Sequence, residues 1–198
     1  MAGPVDRPTR SRLAICNACL DLIQEGVLQP SADQVAARAG LSRRSVFNHF
    51  KDLAELYDAV ARAAMERCAP LLETIPESLP LDERVARLAE VRSRFLEATA
   101  PFARALTAQS LVGLASVQAR RISSEALDRQ RSEIEALFAG ELARLEEPER
   151  SETLDALAAA ASAATWEYLR RHRELDPARA RAVLARSLHG LLGRAGDD

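Results

Sequence analysis

Residues 40–50, "GLSRRSVFNHF", carry the reading of this chain. Ser42 is placed to cap a helix, because its side-chain oxygen can accept from the backbone N–H groups of the first turn. Val46 and Phe50 then stand at i and i+4, one apolar stripe on a helix of about eight residues. Arg43 and Arg44 fall in the first turn, where the helix dipole is positive and disfavours each surface cation by about 0.3–1 kcal/mol. Positive charge in that place calls for an anion, since arginine beside a helix N-terminus makes a strong phosphate site.

The stretch gains meaning from its flanks. Upstream, "SADQVAARAG" (31–40) predicts a short helix capped by Ser31 and ended by Gly40. A first helix is expected from about Thr9 to Gly26, with Ile15, Cys19, Leu22 and Ile23 on one face. A fourth is expected from about Asp52 to Leu72, with Leu56, Val60 and Ala64 inward. Two short helices joined at a glycine, the second rich in arginine, describe a helix-turn-helix. With Val46 and Phe50 buried, Arg44, Ser45, Phe47 and Asn48 point outward while Arg43 and His49 lie at the flanks. Such a set can read nucleic acid: arginine pairs with guanine and asparagine with adenine, while serine and histidine reach phosphate.

The remainder also reads as helix. Runs of β-branched residues are missing, alanine and leucine are plentiful, and breaks fall at proline and glycine. Pro76 and Pro80 in "IPESLPLDER" mark a boundary between a head and a body. Beyond it, helices are expected near 82–98, 101–117, 119–145, 150–173 and 177–193. Pro101 and Pro148 mark two of the breaks, and Asp176 and Pro177 start the last helix. The fold expected is therefore all-α, divided into a head (1–52), a connecting helix (53–75) and a helical body (76–198).

Composition narrows the function. With 47% hydrophobic and 28% charged residues, the chain is globular rather than disordered. It lacks 18 uninterrupted apolar residues and an apolar signal core, so a cytoplasmic protein without a membrane partner is expected. Residues 1–52 hold seven Lys+Arg against five Asp+Glu, and the rest hold twenty against twenty-four. A mildly basic head on an acidic body suits a nucleic-acid module joined to something else. Cys16 and Cys19 are spaced C-x-x-C, but no second ligand pair and no βαβ setting accompany them, so core cysteines are expected. Residues 82–198 carry no G-x-S-x-G, H-E-x-x-H, P-loop or G-x-G-x-x-G, and His172 and His189 are isolated. No enzyme, no cofactor and no metal site is expected.

The arrangement "GVLQPSADQVAARAGLSRRSVFNHFKDLAELYDAV" resembles the N-terminal domain of the TetR family of bacterial transcriptional regulators. Gly26, Ser31, Val35, Ala36, Ala39, Gly40, Ser42, His49, Phe50 and Leu56 fall where that family's pattern puts such residues, over roughly residues 9–60. The resemblance implies a dimeric DNA-binding regulator, a repressor released from a palindromic operator by a small-molecule effector. It assigns Ser31, Ser42, Arg43, Arg44, Ser45, Phe47, Asn48, His49 and Lys51 to DNA. Two departures stand out. Phe47 replaces the family's usual tyrosine, and Leu53 stands where lysine is favoured, so Lys51 is expected to take over that backbone contact. The same fold could serve an activator or a ligand-independent regulator, or a helical binding protein without DNA binding.

For the body, the resemblance implies ligand binding and dimerisation. The helices of "LDALAAAASAATWEYL" and "ARAVLARSLHGLL" would pair with a symmetry mate through Leu157, Ala161, Tyr168, Leu184, Leu188 and Leu191. A pocket would be walled by Phe95, Phe102, Leu106, Leu111 and Trp166. With aromatics at 4%, an aliphatic pocket is expected over an aromatic cage.

Overall fold

The computed structural model describes residues 7–113 and 117–193, and among these every regular element is helical. The order is α1 (Arg7–Gln24), α2 (Ala32–Ala39), α3 (Arg43–His49), α4 (Leu53–Cys68), α5 (Leu81–Leu111) and α6 (Val117–Leu137). Then follow α7 (Ala139–Leu142), α8 (Glu149–Ala160), α9 (Ala163–Glu167) and α10 (Pro177–Gly193). A 3-10 turn, Ala69–Leu71, follows α4, and α9 widens into a π-turn over Tyr168–His172. No helix among the described residues is long and apolar enough to cross a membrane.

The chain packs as two units. One contains the described residues through Cys68 together with those between Pro101 and Ser123; the other contains Ala69–Ala100 and the described residues from Ser124 on. The units cut across the segments 1–52, 53–75 and 76–198 expected from sequence. Helix α4 belongs to the first unit because its Leu56, Tyr57, Val60 and Ala64 are buried in that unit's core. The end of α5 belongs there too, through buried Ala105 and half-buried Phe102.

Within the first unit, α1 packs against α2, α3 and α4. Ile15, Cys19, Val35, Val46, Phe50 and Leu56 are all at most 1% exposed. Cys16 and Cys19 lie in this core as free thiols, and burial pushes the Cys19 thiol up to about 12. A protonated, enclosed thiol is a poor nucleophile, which fits the packing role expected of the pair. The Tyr57 hydroxyl donates to the Pro30 carbonyl at 2.9 Å inside the same core.

The second unit is built on Val85, Leu88, Ile134, Phe138, Leu142 and Leu154, joined by Leu157, Ala161, Leu184 and Leu188. Arg84 and Glu141 face each other in two parallel bonds, Nη2–Oε1 at 2.6 Å and Nη1–Oε2 at 3.0 Å, both side chains almost enclosed.

Three helix boundaries differ from expectation. Proline lacks an N–H and is costly inside a helix, yet α5 runs unbroken through Pro101. Buried Leu96 and Ala105 on either side of it supply the packing that keeps the helix together. The helix expected over 119–145 stops at Leu137, and α7 follows separately. The one expected over 150–173 ends at Ala160, where Ser162 caps a new start by accepting from the Thr165 N–H at 3.3 Å.

Candidate nucleic-acid interface

Both short helices are fixed by their own caps. Ser31 Oγ accepts from the Gln34 N–H at 3.2 Å, and Gln34 Oε1 accepts from the Ser31 N–H at 2.9 Å, a reciprocal capping box. Helix α2 ends at Gly40, whose φ of 66° is the left-handed conformation that glycine adopts without steric cost. The Leu41 N–H then closes onto the Ala36 carbonyl at 2.9 Å, and the chain turns into α3. Ser42 Oγ accepts from the Ser45 N–H at 3.1 Å, so Ser31 and Ser42 are both structural caps as well as candidate phosphate contacts.

Helix α3 is held by two anchors and presents the rest. Val46 and Phe50 are each 1% exposed, whereas Phe47, on the opposite side, is 38% exposed. Arg43, Arg44 and Asn48 are exposed, and Ser45 and His49 are half-buried. The inward pair and the outward Arg44, Phe47 and Asn48 match the helical wheel, whereas Ser45, expected outward, is half-buried and Arg43, expected at the flank, is exposed. Ser45 is partly committed within the turn, its hydroxyl lying 3.0 Å from that of Ser42.

The two first-turn arginines differ in a way the sequence does not reveal. Arg43 Nη1 meets Asp33 Oδ2 of α2 at 3.1 Å, and its guanidinium lies 5.7 Å from the Phe47 ring centroid. Its charge beside the helix dipole is thus partly offset inside the chain. Arg44 has no hydrogen bond or ion pair among the described residues. The positive charge that asks for an external anion is that of Arg44.

A support behind α3 escaped the sequence reading. Arg12 of α1 lies over the Phe50 ring at 4.1 Å from its centroid, donates to the His49 carbonyl and reaches Glu55 Oε1 at 3.5 Å. Glu55 Oε2 accepts from the Lys51 N–H at 2.9 Å, and Asp52 Oδ1 accepts from the Glu55 N–H at 2.8 Å. These bonds fix the turn from α3 to α4 and leave the Lys51 side chain exposed beside it. The D-x-x-E spacing of 52–55 is a legible capping signal; Arg12, 37 residues before His49 and on another helix, has none.

The residues expected to wall a ligand pocket are divided between the two units. Phe95 and Trp166 are buried in the second unit, the indole Nε1 donating to Glu97 Oε1 at 2.7 Å. Phe102 and Leu106 line a cleft of only about 30 Å³ in the first unit, and Leu111 is 83% exposed. The larger cavity, about 190 Å³, lies in the second unit between the start of α5 and the end of α6, bounded by Leu72 and Ile75.

The expected dimer contacts also need correction. Leu157, Ala161, Leu184 and Leu188 are 2% exposed or less within the single chain, where they form the core of the second unit. A residue already enclosed by its own chain offers no area to a partner. Leu191 is half-buried, and only Tyr168 of the six stands clear of the chain's own packing. No group of three or more metal-ligating side chains occurs among the described residues.

No family model and no curated protein matches the chain. Solved structures do. A TetR-family transcriptional regulator from Streptomyces coelicolor superposes with a TM-score of 0.73 at 20% identity, over 94% of this chain and 82% of that one. A transcriptional regulator from Rhodococcus sp. Rha1 gives 0.69 at 19% identity, over 96% and 97%. The multidrug binding protein EbrR, solved with imidazole, gives 0.61 at 23%, over 93% and 97%. The all-α fold of these regulators is therefore the fold of this chain, from the helix-turn-helix to the last described helix.

Proposed function

We propose that the chain is a TetR-type transcriptional regulator: a cytoplasmic repressor that binds a palindromic operator as a homodimer and is released by a small molecule. The observation that carries the reading is α3 itself, anchored by Val46 and Phe50 and offering Arg44, Asn48 and Phe47 outward. A recognition helix enters the major groove with its N-terminal residues at the base edges. Arg44 can make a bidentate contact to guanine and Asn48 to adenine, and the Phe47 ring suits a thymine methyl. Lys51 and the half-buried His49 lie beside them for backbone phosphates. The likeness in fold to proteins described as transcriptional regulators supports the same reading.

Dimerisation follows from the way such helices read DNA. Two copies must place their α3 helices in successive major grooves on one face of the duplex, about 34–36 Å apart. With the four leucine and alanine positions enclosed, exposed Tyr168 and Val183 are the apolar side chains of this region open to a second copy. An effector releases the protein only if it favours a spacing that DNA cannot accept. A hundredfold preference corresponds to about 2.7 kcal/mol, and linkage makes the antagonism reciprocal.

A gel-shift titration with the intergenic DNA flanking the coding region tests the proposal. A discrete complex that survives an excess of unrelated duplex, and that Arg44→Ala weakens, is expected. A folded protein that binds the flanking DNA no better than unrelated duplex overturns it.

A further inference from the structure

Arg92, on α5 in the second unit, is 7% exposed, and no carboxylate among the described residues is ion-paired to it. Its Nη2 donates to Gln130 Oε1 at 3.0 Å and to the Ala161 carbonyl at 3.1 Å, and its Nε reaches the same carbonyl at 3.3 Å. Every acceptor is neutral. Nη1 makes no hydrogen bond among the described residues, no buried side-chain nitrogen or oxygen there is left unsatisfied, and the guanidinium carbon lies 5.3 Å from the Phe95 ring centroid. Arg92 also borders the cavity of about 190 Å³. A buried guanidinium without a counter-ion is costly to its own fold unless something else answers the charge. Burial holds Arg92 down to about 10, against a weaker opposite pull from Glu133.

The rest of the cavity defines what could answer it. Leu88, Val91, Ile134 and Leu137 form an apolar wall beside the guanidinium, all of them buried or nearly so. The volume is somewhat larger than the void of about 150 Å³ that accepts benzene in an engineered core. At the exposed rim stand Glu73, Glu77 and Glu133. Glu73 is paired with Arg94 at 2.7 Å, and Glu77 lies within reach of the Arg84 charge.

We propose that this cavity binds a small carboxylate with a short apolar body, its carboxylate on Arg92 and its body against Leu88, Val91, Ile134 and Leu137. This deepens the proposed function by naming the effector class, and it rests on that reading only for its regulatory meaning. Arginine is the side chain that matches a carboxylate in geometry and charge, and the low dielectric around Arg92 strengthens the pair. The rim glutamates act as a filter. They disfavour dianions and long acidic molecules, which would bring a second negative charge against Glu133.

Isothermal titration of the full chain with hexanoate, benzoate, hexanol and hexylamine tests the binding without reference to DNA. Hexanoate or benzoate should bind at least tenfold more tightly than hexanol and hexylamine, and should raise the melting temperature. In Arg92→Met, which keeps the stem and removes the charge, that preference should vanish. Glu133→Gln, at an exposed position, should tighten carboxylate binding several-fold and serves as the reporter should Arg92→Met fold poorly. Equal affinity for hexanol and hexanoate, absence of binding by either carboxylate, or a carboxylate affinity unmoved by Glu133→Gln overturns the assignment. If the carboxylate binds but leaves operator affinity unchanged, the site stands and the repressor mechanism falls.

Discussion

The Arg43–Asp33 pair offers a direct test of how α3 is charged for its partner. Asp33 stands in the first turn of α2, and both side chains are more than 60% exposed, so their ion pair is worth no more than about 1 kcal/mol. To reach a phosphate or a base edge, Arg43 must leave Asp33, and the free energy of the pair is then subtracted from DNA binding. Asp33→Asn removes that competition. Operator affinity should rise by up to about fivefold, the equivalent of about 1 kcal/mol. Folding stability should fall by less than about 2 kcal/mol, through loss of the pair and of an acidic group that favours the α2 N-terminus. Fluorescence anisotropy across a salt series reads both affinity and mechanism: if Arg43 now contacts a phosphate, the slope of log K against log salt steepens by about 0.9. The control is a double-mutant cycle with Arg43→Ala. In that background Asp33→Asn should have no effect on affinity, because the liberated cation is absent. An equal gain with and without Arg43 would mean that Asp33 acts on DNA by itself, and a loss of affinity would refute the competition altogether.

Other outcomes follow from the same geometry. Arg44→Ala should cost about 1–3 kcal/mol at one operator position and relax specificity there, read by titrating single-base variants. Lys51→Ala should weaken all sequences alike and lower the salt slope by about one unit. Phe50→Ala empties a fully enclosed site beneath α3 and removes the surface on which Arg12 rests; chemical denaturation should register a loss of about 3–5 kcal/mol. Glu141→Gln leaves the nearly enclosed Arg84 without its counter-charge and should destabilise by about 3 kcal/mol at neutral pH. The bond from Arg84 holds the Glu141 carboxyl below the usual carboxylate range. Its stabilisation is therefore present above the unfolded pKa and lost as pH falls through the lower folded one, so the gap between wild type and variant should narrow in acid.

Much of the candidate interface is legible in the chain because its determinants are local. Ser31 with Gln34, Gly40 in a left-handed turn, Ser42, and the i, i+4 spacing of Val46 and Phe50 act within one or two helical turns, and each does what its spacing implies. The arginines at 43 and 44 read alike in sequence and separate only in space, where Asp33 reaches one and not the other. Arg12 is invisible for the same reason: its partners Phe50, His49 and Glu55 lie on other helices.

The body of the chain was less legible. A 3.6-residue apolar period states that a helix buries one face, but not against what. Leu157, Ala161, Leu184 and Leu188 fit a core or a two-fold contact equally well, and only their enclosure by Val85, Ile134 and Phe138 decides for the core. Pro101 predicts a break because the missing N–H is a local fact, whereas the packing of Leu96 and Ala105 that carries α5 past it is a tertiary one. Cavities are more remote still from sequence, since they are what packing leaves unfilled. The sequence by itself determined the all-α class, the helix-turn-helix and the outward placement of Arg44, Phe47 and Asn48. The tertiary structure decided which arginine is unpaired, which leucines are core and where an open space meets a buried charge, because each depends on residues brought together from distant parts of the chain.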